Sequence, residues 1–149
     1  MGDADFDGHK IYFLCQEGLD RSLCLKRAFQ KYLELSDYQG PVVGTGSGSA
    51  YNEDLLKRIN PEDIIVVHEI ISDSDLVHIK KIIPYCENII RASIPRGAVA
   101  IVQNFDVELD PTQKSELMRW GETLRAKIKL DQKPNRVALR SEPKSKVKN

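Results

Sequence analysis

Residues 11–22 have the sequence IYFLCQEGLDRS, and the rest of the architecture can be built out from them. The first four are β-branched, aromatic or aliphatic, which is typical of a short buried strand. A polar turn containing a glycine follows over residues 15–20. From Arg21, apolar residues recur mostly at helical spacing as far as about Leu35. The sequence therefore predicts a strand, a turn and a helix in immediate succession.

The same alternation of strands and helices continues along the chain. Further strands are predicted at 42–43 and 63–67, a flexible loop at 44–49 (GTGSGS), and helices at 53–59 with Asn52 as N-cap, at 74–82 and at 112–130. Residues 89–94 and 98–102 compete for the fourth strand, because residues 95–97 (PRG) separate them. This order is typical of βαβ units. We expect a three-layer α/β fold with a central, mainly parallel four-stranded sheet and helices on both faces.

Length and composition indicate one globular domain. The chain has 149 residues, of which 41% are hydrophobic and 30% charged, and this balance excludes wholesale disorder. We expect a flexible leader at 1–9, a folded domain at 10–130 and a basic, disordered tail at 131–149. The N-terminus carries acidic residues where a signal peptide has basic ones, and no apolar run approaches the ~20 residues that span a bilayer. We therefore expect a cytoplasmic protein.

Charge is zero overall but unevenly spread. Residues 133–149 hold six basic side chains against one acidic, which leaves residues 1–132 with a net charge of −5. Such a tail is able to contact nucleic acid or an anionic surface, but basic tails more often stay solvated, and that is our expectation. The three cysteines show no paired spacing, and the three histidines show neither metal-ligand spacing nor a Cys–His pair. No metal or cofactor is expected.

The turn after the first strand carries a Cys-x5-Arg-Ser pattern, from Cys15 to Arg21 and Ser22. A loop of this length is able to point successive backbone N–H groups into one hollow that binds an anion. The helix that begins near Arg21 directs its positive dipole end there, and the Arg21 guanidinium fits phosphate oxygens. That potential favours the Cys15 thiolate, a nucleophile, to which Ser22 is placed to donate a hydrogen bond. The predicted phosphate-binding residues are Gln16, Glu17, Gly18, Leu19, Asp20, Arg21 and Ser22.

These motifs resemble the low-molecular-weight protein tyrosine phosphatase family, which includes arsenate reductases. Residues 11–15 followed by Arg21 and Ser22 are similar to its strand, nucleophile loop and helix start. Residues 44–46 (GTG) and 61–69 (PEDIIVVHE) resemble the end of its second strand and its third strand. Asp110, followed by a proline, resembles the Asp-Pro that supplies its general acid. The resemblance covers most of residues 10–130.

The resemblance implies Cys15 as nucleophile, Arg21 as transition-state stabiliser and Asp110 as general acid. Asp106 and Glu108 are nearby rivals for the last role, and an Asp-Pro pair is also a common turn. Tyr51 lies where the family places an aromatic wall beside the substrate. The reductase branch uses two further cysteines in a region where this chain has only Cys86, so reductase activity is not expected.

The expected function is hydrolysis of phosphomonoesters, including phosphotyrosine in proteins, through a phosphocysteine intermediate. Two alternatives remain open. Glu17 and Asp20 put carboxylates in the loop, and Gly18 stands where the family has a bracing Asn, which would suit a catalytically weak phosphatase or a phosphate-binding module. A phosphocarrier similar to the IIB subunits of sugar transport also places a cysteine after its first strand, but Arg21 argues against it.

Overall fold

The computed structural model describes residues 10–16, 21–39 and 44–129. Within these ranges the chain forms four strands and five helices around one sheet. The elements in chain order are β1 (Lys10–Cys15), α1 (Arg21–Leu35), β2 (Gly44–Ser49), α2 (Glu53–Leu56), β3 (Ile64–His68), α3 (Asp73–Ile82), β4 (Ile89–Ala92), α4 (Ala98–Gln103) and α5 (Pro111–Ile128). The predicted leader and tail lie outside the described residues.

The sheet is entirely parallel, with strand order β2-β1-β3-β4. Helices cover both of its faces, as predicted. Ile11 and Phe13 of β1 face a core that includes residues of α1, α4 and α5. Tyr12 and Leu14 face the opposite core, which α2 and α3 complete. Alternate residues of β1 thus enter different cores, which explains why its residues read as one continuous apolar run.

The glycine-rich segment 44–49 is a strand, and the prediction of a flexible loop there was wrong. This segment is β2, an edge strand whose residues pair with β1 in register from Lys10–Gly44 to Cys15–Ser49. Pairing with β1 outweighs its low β-propensity. Gly48 also suits its place, because an added Cβ would lie 2.4 Å from a terminal methyl carbon of Leu55. Residues 42 and 43, where the sequence predicts the start of this strand, lie outside the described residues.

The fourth strand is β4, and the competing segment at 98–102 belongs to helix α4. Gly97 precedes this helix with a φ of 85°, a left-handed conformation that favours glycine. Ala98 and Ile101, three positions apart, are buried in the core that includes α1. A short apolar run fits either a strand or a buried helix, and here the turn at Gly97 leads into a helix.

The predicted boundaries of the other helices are close to those observed. Helix α1 has the predicted bounds, and α3 begins one residue earlier than predicted. Asn52 caps α2, which ends at Leu56, earlier than expected. Helix α5 packs closely on α1, since a Cβ on Gly121 would lie 2.1 Å from a ring carbon of Tyr32. No helix within the described ranges is both long and apolar enough to cross a membrane.

Candidate active site

Cys15 and Arg21 line the same small pocket at the carboxyl edge of the sheet. Cys15 is the last residue of β1, and Arg21 is the first residue of α1. The pocket has a volume of about 40 Å³, room for a group of a few heavy atoms. Its lining also includes Gln16, His68, Ile70, Ile71 and Asp75. The two ends of the predicted Cys-x5-Arg motif are therefore brought together, while residues 17–20 between them lie outside the described residues.

The pocket lies where the sheet changes its winding direction. From β1 the chain crosses to β2 on one side, and it later reaches β3 on the other side of β1. In open α/β sheets, ligands bind in the crevice outside the carboxyl ends of such strands. Ser49, at the end of β2, holds the backbone beside Cys15, because its hydroxyl donates to the Gln16 carbonyl at 2.6 Å. The topology thus directs Cys15 and the N-terminus of α1 to one crevice.

His68 is a pocket residue that the sequence did not reveal. It ends β3, and Leu14 pairs with Val67, so Cys15 and His68 are the next residues on neighbouring strands. The sequence showed only scattered histidines and no Cys–His pair, and the fold supplies that proximity. One sequence signal could have identified His68: it stands at the end of a predicted strand, as Cys15 does. The carboxyl ends of parallel strands meet at one edge of the sheet, where ligands bind.

The His68 imidazole is held in its neutral form. Burial lowers its pKa, and the positive charge of Arg21 lowers it further, while Glu69 acts in the opposite direction. Its Nδ1 accepts a hydrogen bond from the Ile70 N–H at 3.3 Å. In the neutral ring the proton therefore sits on Nε2, which makes Nε2–H the available donor. The pocket therefore offers a neutral donor to an oxygen of an anion.

Asp75 brings a carboxylate to the same pocket. It occupies the third position of α3, where it completes a capping box with Ser72. The Tyr51 hydroxyl donates to its Oδ1 atom, and this hydrogen bond lowers the Asp75 pKa, with Ser72 adding to the effect and burial opposing it. Asp75 is only 4% exposed. The pocket therefore contains an ionised acidic group as well as a cation.

Tyr51, the predicted aromatic wall, contacts the site through Asp75. Its side chain is 45% exposed, and its ring centroid lies 4.5 Å from that of His78. The hydrogen bond to Asp75 raises the Tyr51 pKa, so the hydroxyl stays protonated at neutral pH. Ile70, which lines the pocket directly, is 60% exposed and offers a second apolar surface there.

Asp110 occupies a helix cap and is not among the residues that line the pocket. Its side chain accepts a hydrogen bond from the Gln113 N–H at 2.8 Å, and the Gln113 side chain accepts one from the Asp110 N–H. Asp106 and Glu108 do not line the pocket either. The general-acid role of Asp110 stays a prediction, and Asp75 is the carboxylate that the pocket itself contains.

Three other side chains with a hydroxyl or thiol group, those of Ser22, Cys24 and Cys86, are buried. Ser22 is fully buried at the start of α1, and its Oγ finds no hydrogen-bond partner within the described part of the chain. Cys24, on α1, packs in the core that this helix shares with α4 and α5. Burial raises the pKa of the Cys86 thiol. Cys15, Cys24 and Cys86 form no disulfide. Among the residues that the structure describes, no three His, Cys, Asp or Glu side chains form a metal-binding group.

Fold and site together define an α/β protein with a cysteine–arginine pocket at the switch point of a four-stranded parallel sheet. The chain matches no protein-family model and no curated protein. Its resemblance to the low-molecular-weight phosphatases therefore rests on the motifs in its own sequence.

Proposed function

We propose that this protein is a cysteine-dependent phosphomonoesterase. The observation that carries the proposal is the pocket that Cys15 and Arg21 line together at the start of α1. A nucleophile, a bidentate cation and the positive end of a helix thus meet at one point, a combination suited to a phosphoryl group. A cysteine nucleophile must stay reduced, so we place the activity in the cytoplasm.

In the proposed reaction the Cys15 thiolate attacks phosphorus, forming an S–P bond as the bond from phosphorus to the leaving oxygen breaks. Arg21 and the backbone N–H groups of the loop stabilise the equatorial oxygens. A carboxylic acid, Asp110 by resemblance, protonates the leaving oxygen. Water then attacks the phosphocysteine, its proton passes to the same carboxylate, and the S–P bond breaks to regenerate the thiolate. The substrates are small phosphate esters or phosphorylated proteins.

His68 supports this chemistry as a neutral hydrogen-bond donor. Its Nε2–H is available to the Cys15 sulfur or to a phosphate oxygen, because Nδ1 already accepts from the Ile70 N–H. A hydrogen bond from the neutral ring to a phosphate oxygen is already strengthened by the charge of the phosphate, but a second cation would add a full coulombic attraction as well. A neutral donor therefore orients the phosphoryl group while holding the phosphate product less tightly than a second cation would.

The alternative is a phosphate-binding module that hydrolyses poorly, and Asp75 favours it. By Coulomb's law, a cation about 4 Å from a phosphate offsets about two carboxylates about 8 Å away. The Asp75 carboxylate lines the pocket, and the sequence has two further carboxylates, Glu17 and Asp20, between Cys15 and Arg21. With a carboxylate lining the pocket beside Arg21, the attraction of a phosphate depends more heavily on the positive end of the α1 dipole. The phosphocarrier alternative has no such support, because Arg21 lines the pocket.

A burst experiment with p-nitrophenyl phosphate tests the proposal. The native chain should release about one equivalent of p-nitrophenolate rapidly, as covalent catalysis through an accumulating intermediate requires. Mass spectrometry of the quenched protein should find the phosphate on Cys15. Cys15→Ser should abolish the burst, whereas Cys24→Ser, in the core, should keep it. Phosphate binding without any turnover would replace the proposal with the binding module.

A further inference from the structure

A second, larger concavity lies beside the pocket, between the end of β4 and helix α5. Its volume is about 660 Å³, within the range of ligand-binding sites. One wall is a single stripe of α5 that includes Arg119, Trp120, Thr123 and Lys127. These positions recur at helical spacing, so they form a continuous face about 12 Å long from Arg119 to Lys127. We refer to this concavity as the α5 groove.

The α5 groove and the Cys15 pocket share one short turn. Glu69 lines the groove, while Ile70 and Ile71, the next two residues, line the pocket. Arg91 of β4 fixes this turn, since its Nη1 donates to the carbonyl oxygens of Glu69 and Ile71 at 3.1 Å each. A substrate whose phosphate occupies the pocket therefore has the groove as an adjacent binding surface.

The groove offers positive charge to a ligand. Arg91 is bound to the turn, and Arg96 lies 3.4 Å from Glu116 in an ion pair. Arg119 and Lys127 line the groove and form no ion pair with any residue that the structure describes. Eight helical positions separate these two cations, a distance of about 12 Å along the axis.

Trp120 adds an aromatic surface between the two cations. Its Nε1–H donates to the Ser93 carbonyl at 2.7 Å, which ties α5 to the segment that follows β4 and fixes the ring in the groove wall. Aromatic and arginine side chains are the residues that most often anchor a bound partner. The groove thus combines two available cations with a fixed ring.

We propose that the α5 groove binds an acidic peptide segment flanking the phosphorylated residue of a protein substrate. This inference rests on the proposed function and gives it a substrate class. Two acidic side chains four residues apart in an extended peptide are about 13 Å apart, close to the spacing of Arg119 and Lys127.

The charge of the α5 groove favours an acidic peptide over two other occupants, the chain's own basic tail and a nucleic acid. The chain's own tail, residues 133–149, has six basic side chains against one acidic and would be repelled by these cations. A nucleic acid presents a continuous row of phosphates, which Glu69 and Glu116 in the groove lining would oppose. A peptide places its charges at discrete positions and offers N–H donors to those carboxylates.

Trp120 is the chain's single tryptophan, so its fluorescence reports on the groove directly. The probes are an unphosphorylated ten-residue peptide with two glutamates four residues apart, its lysine counterpart, and a single-stranded oligonucleotide. The glutamate peptide should change the fluorescence with saturation. Arg119→Glu and Lys127→Glu should each weaken its binding about tenfold at low salt. Lys114→Glu, on α5 outside the groove lining, should leave binding unchanged.

Activity then separates this inference from the proposed function. Phosphotyrosyl peptides with acidic flanks should show kcat/KM about tenfold above lysine-flanked peptides, and Arg119→Glu should erase the difference. Turnover of p-nitrophenyl phosphate with no preference for acidic flanks would overturn the groove assignment and leave the phosphatase standing. Charge-dependent binding of the glutamate peptide without any turnover would overturn the phosphatase and leave the peptide site. Tighter binding of the oligonucleotide than of the glutamate peptide would overturn the assignment to an acidic peptide.

Discussion

Cys15 and His68 are the last residues of neighbouring parallel strands, one step beyond the Leu14–Val67 pair. Residues at matching positions of parallel strands point to the same face of the sheet. Both line the pocket to which Arg21 contributes from the start of α1. A sulfur, an imidazole and a guanidinium therefore converge, although His68 is far from the other two in the sequence. The fold thus gives the sulfur a cation and a neutral donor as neighbours.

Cys15 should be the fastest of the three cysteines to react with iodoacetamide at neutral pH. It is the cysteine that lines the pocket, together with Arg21 from the start of α1, whereas Cys24 and Cys86 do not line it. Cys86 is fully buried, and its pKa is raised by burial, so it should react only on unfolding. Peptide mapping after brief labelling measures the rates, and phosphate or vanadate should protect Cys15. Equal labelling of Cys15 and Cys24 without protection would contradict the nucleophile assignment.

Arg21→Lys should lower kcat by about a hundredfold while KM rises only a few-fold. The substitution keeps the charge but removes the planar pair of donors that matches two phosphoryl oxygens. Loss of one transition-state donor costs about 10²–10³ in kcat in other enzymes. Steady-state kinetics with p-nitrophenyl phosphate measures the changes in kcat and KM separately. Arg27→Lys, an exposed position on the same helix, is the matched control, and a native kcat for Arg21→Lys would disprove the role.

His68 should make the folded protein less stable at acidic pH. Its pKa is lowered in the folded state by burial and by Arg21, so the unfolded chain binds the proton more readily. Stability is therefore unaffected well above the ordinary histidine pKa of about 6.5 and is lost as the pH falls below it. Urea unfolding between pH 8 and pH 5 measures this loss.

His68→Gln is the comparison for that experiment, because glutamine keeps an N–H donor and does not titrate. The difference in unfolding free energy between the native chain and His68→Gln should change between pH 7 and pH 5, with the native chain losing more. Other titrating groups, including Glu69 and Asp75, are present in both chains and cancel. A difference that is constant over this range would show that the folded state does not disfavour the imidazolium.

Gly121→Ala should destabilise the fold by about 1–3 kcal/mol without affecting the pocket directly. The new Cβ would lie 2.1 Å from a ring carbon of the fully buried Tyr32, so α5 and α1 must move apart. Gly46→Ala is the control, because its Cβ would lie 3.3 Å from the Tyr12 ring and needs only a small adjustment. Thermal unfolding compares the two, and equal midpoints would contradict the close packing of these helices.

The sequence predicted the layers of the fold because its signals there are local. Buried strands β1 and β3 are short apolar runs, and Asn52 is a polar cap at the start of α2. The glycine-rich edge strand β2 was mistaken for a loop, since only its pairing with β1 makes it a strand. Local propensity does not report a partner strand that is distant in the sequence.

In the candidate site, too, the residues that are close together in the sequence could be predicted, and the distant ones could not. Cys15 and Arg21 stand six residues apart across one strand–helix turn, so a sequence motif reveals them. His68 and Asp75 reach the pocket from β3 and α3, and their proximity to Cys15 depends on strand order and on the Tyr51–Asp75 hydrogen bond. The position of His68 at the end of a predicted strand was the one local signal, because a single sequence gives neither the strand order nor that hydrogen bond. The part of the site that depends on tertiary contacts therefore required the structure.

Asp110→Asn should separate the two roles open to this residue, general acid and helix cap. Asparagine caps a helix about as well as aspartate, so the hydrogen bond to the Gln113 N–H and the stability of α5 should survive. If Asp110 protonates the leaving group, hydrolysis of alkyl phosphates should slow by about 10²–10⁴-fold. Hydrolysis of p-nitrophenyl phosphate should slow far less, because p-nitrophenolate leaves with little protonation. Single-turnover rates with both esters measure the contrast.

Asp106→Asn is the comparison on the same segment, and Asp75→Asn is the rival variant inside the pocket. Asp75 lines the pocket, but the Tyr51 hydroxyl lowers its pKa and so favours the carboxylate over the acid that must donate a proton. Asp75→Asn should therefore strengthen phosphate binding by removing a negative charge, with the leaving-group dependence unchanged. If Asp110→Asn lowers the hydrolysis rates of both esters by the same small factor, Asp110 is a helix cap and not the general acid. If Asp75→Asn instead slows hydrolysis strongly and in a way that depends on the leaving group, Asp75 is the general acid. Its carboxyl group would then hold a proton despite the hydrogen bond from Tyr51.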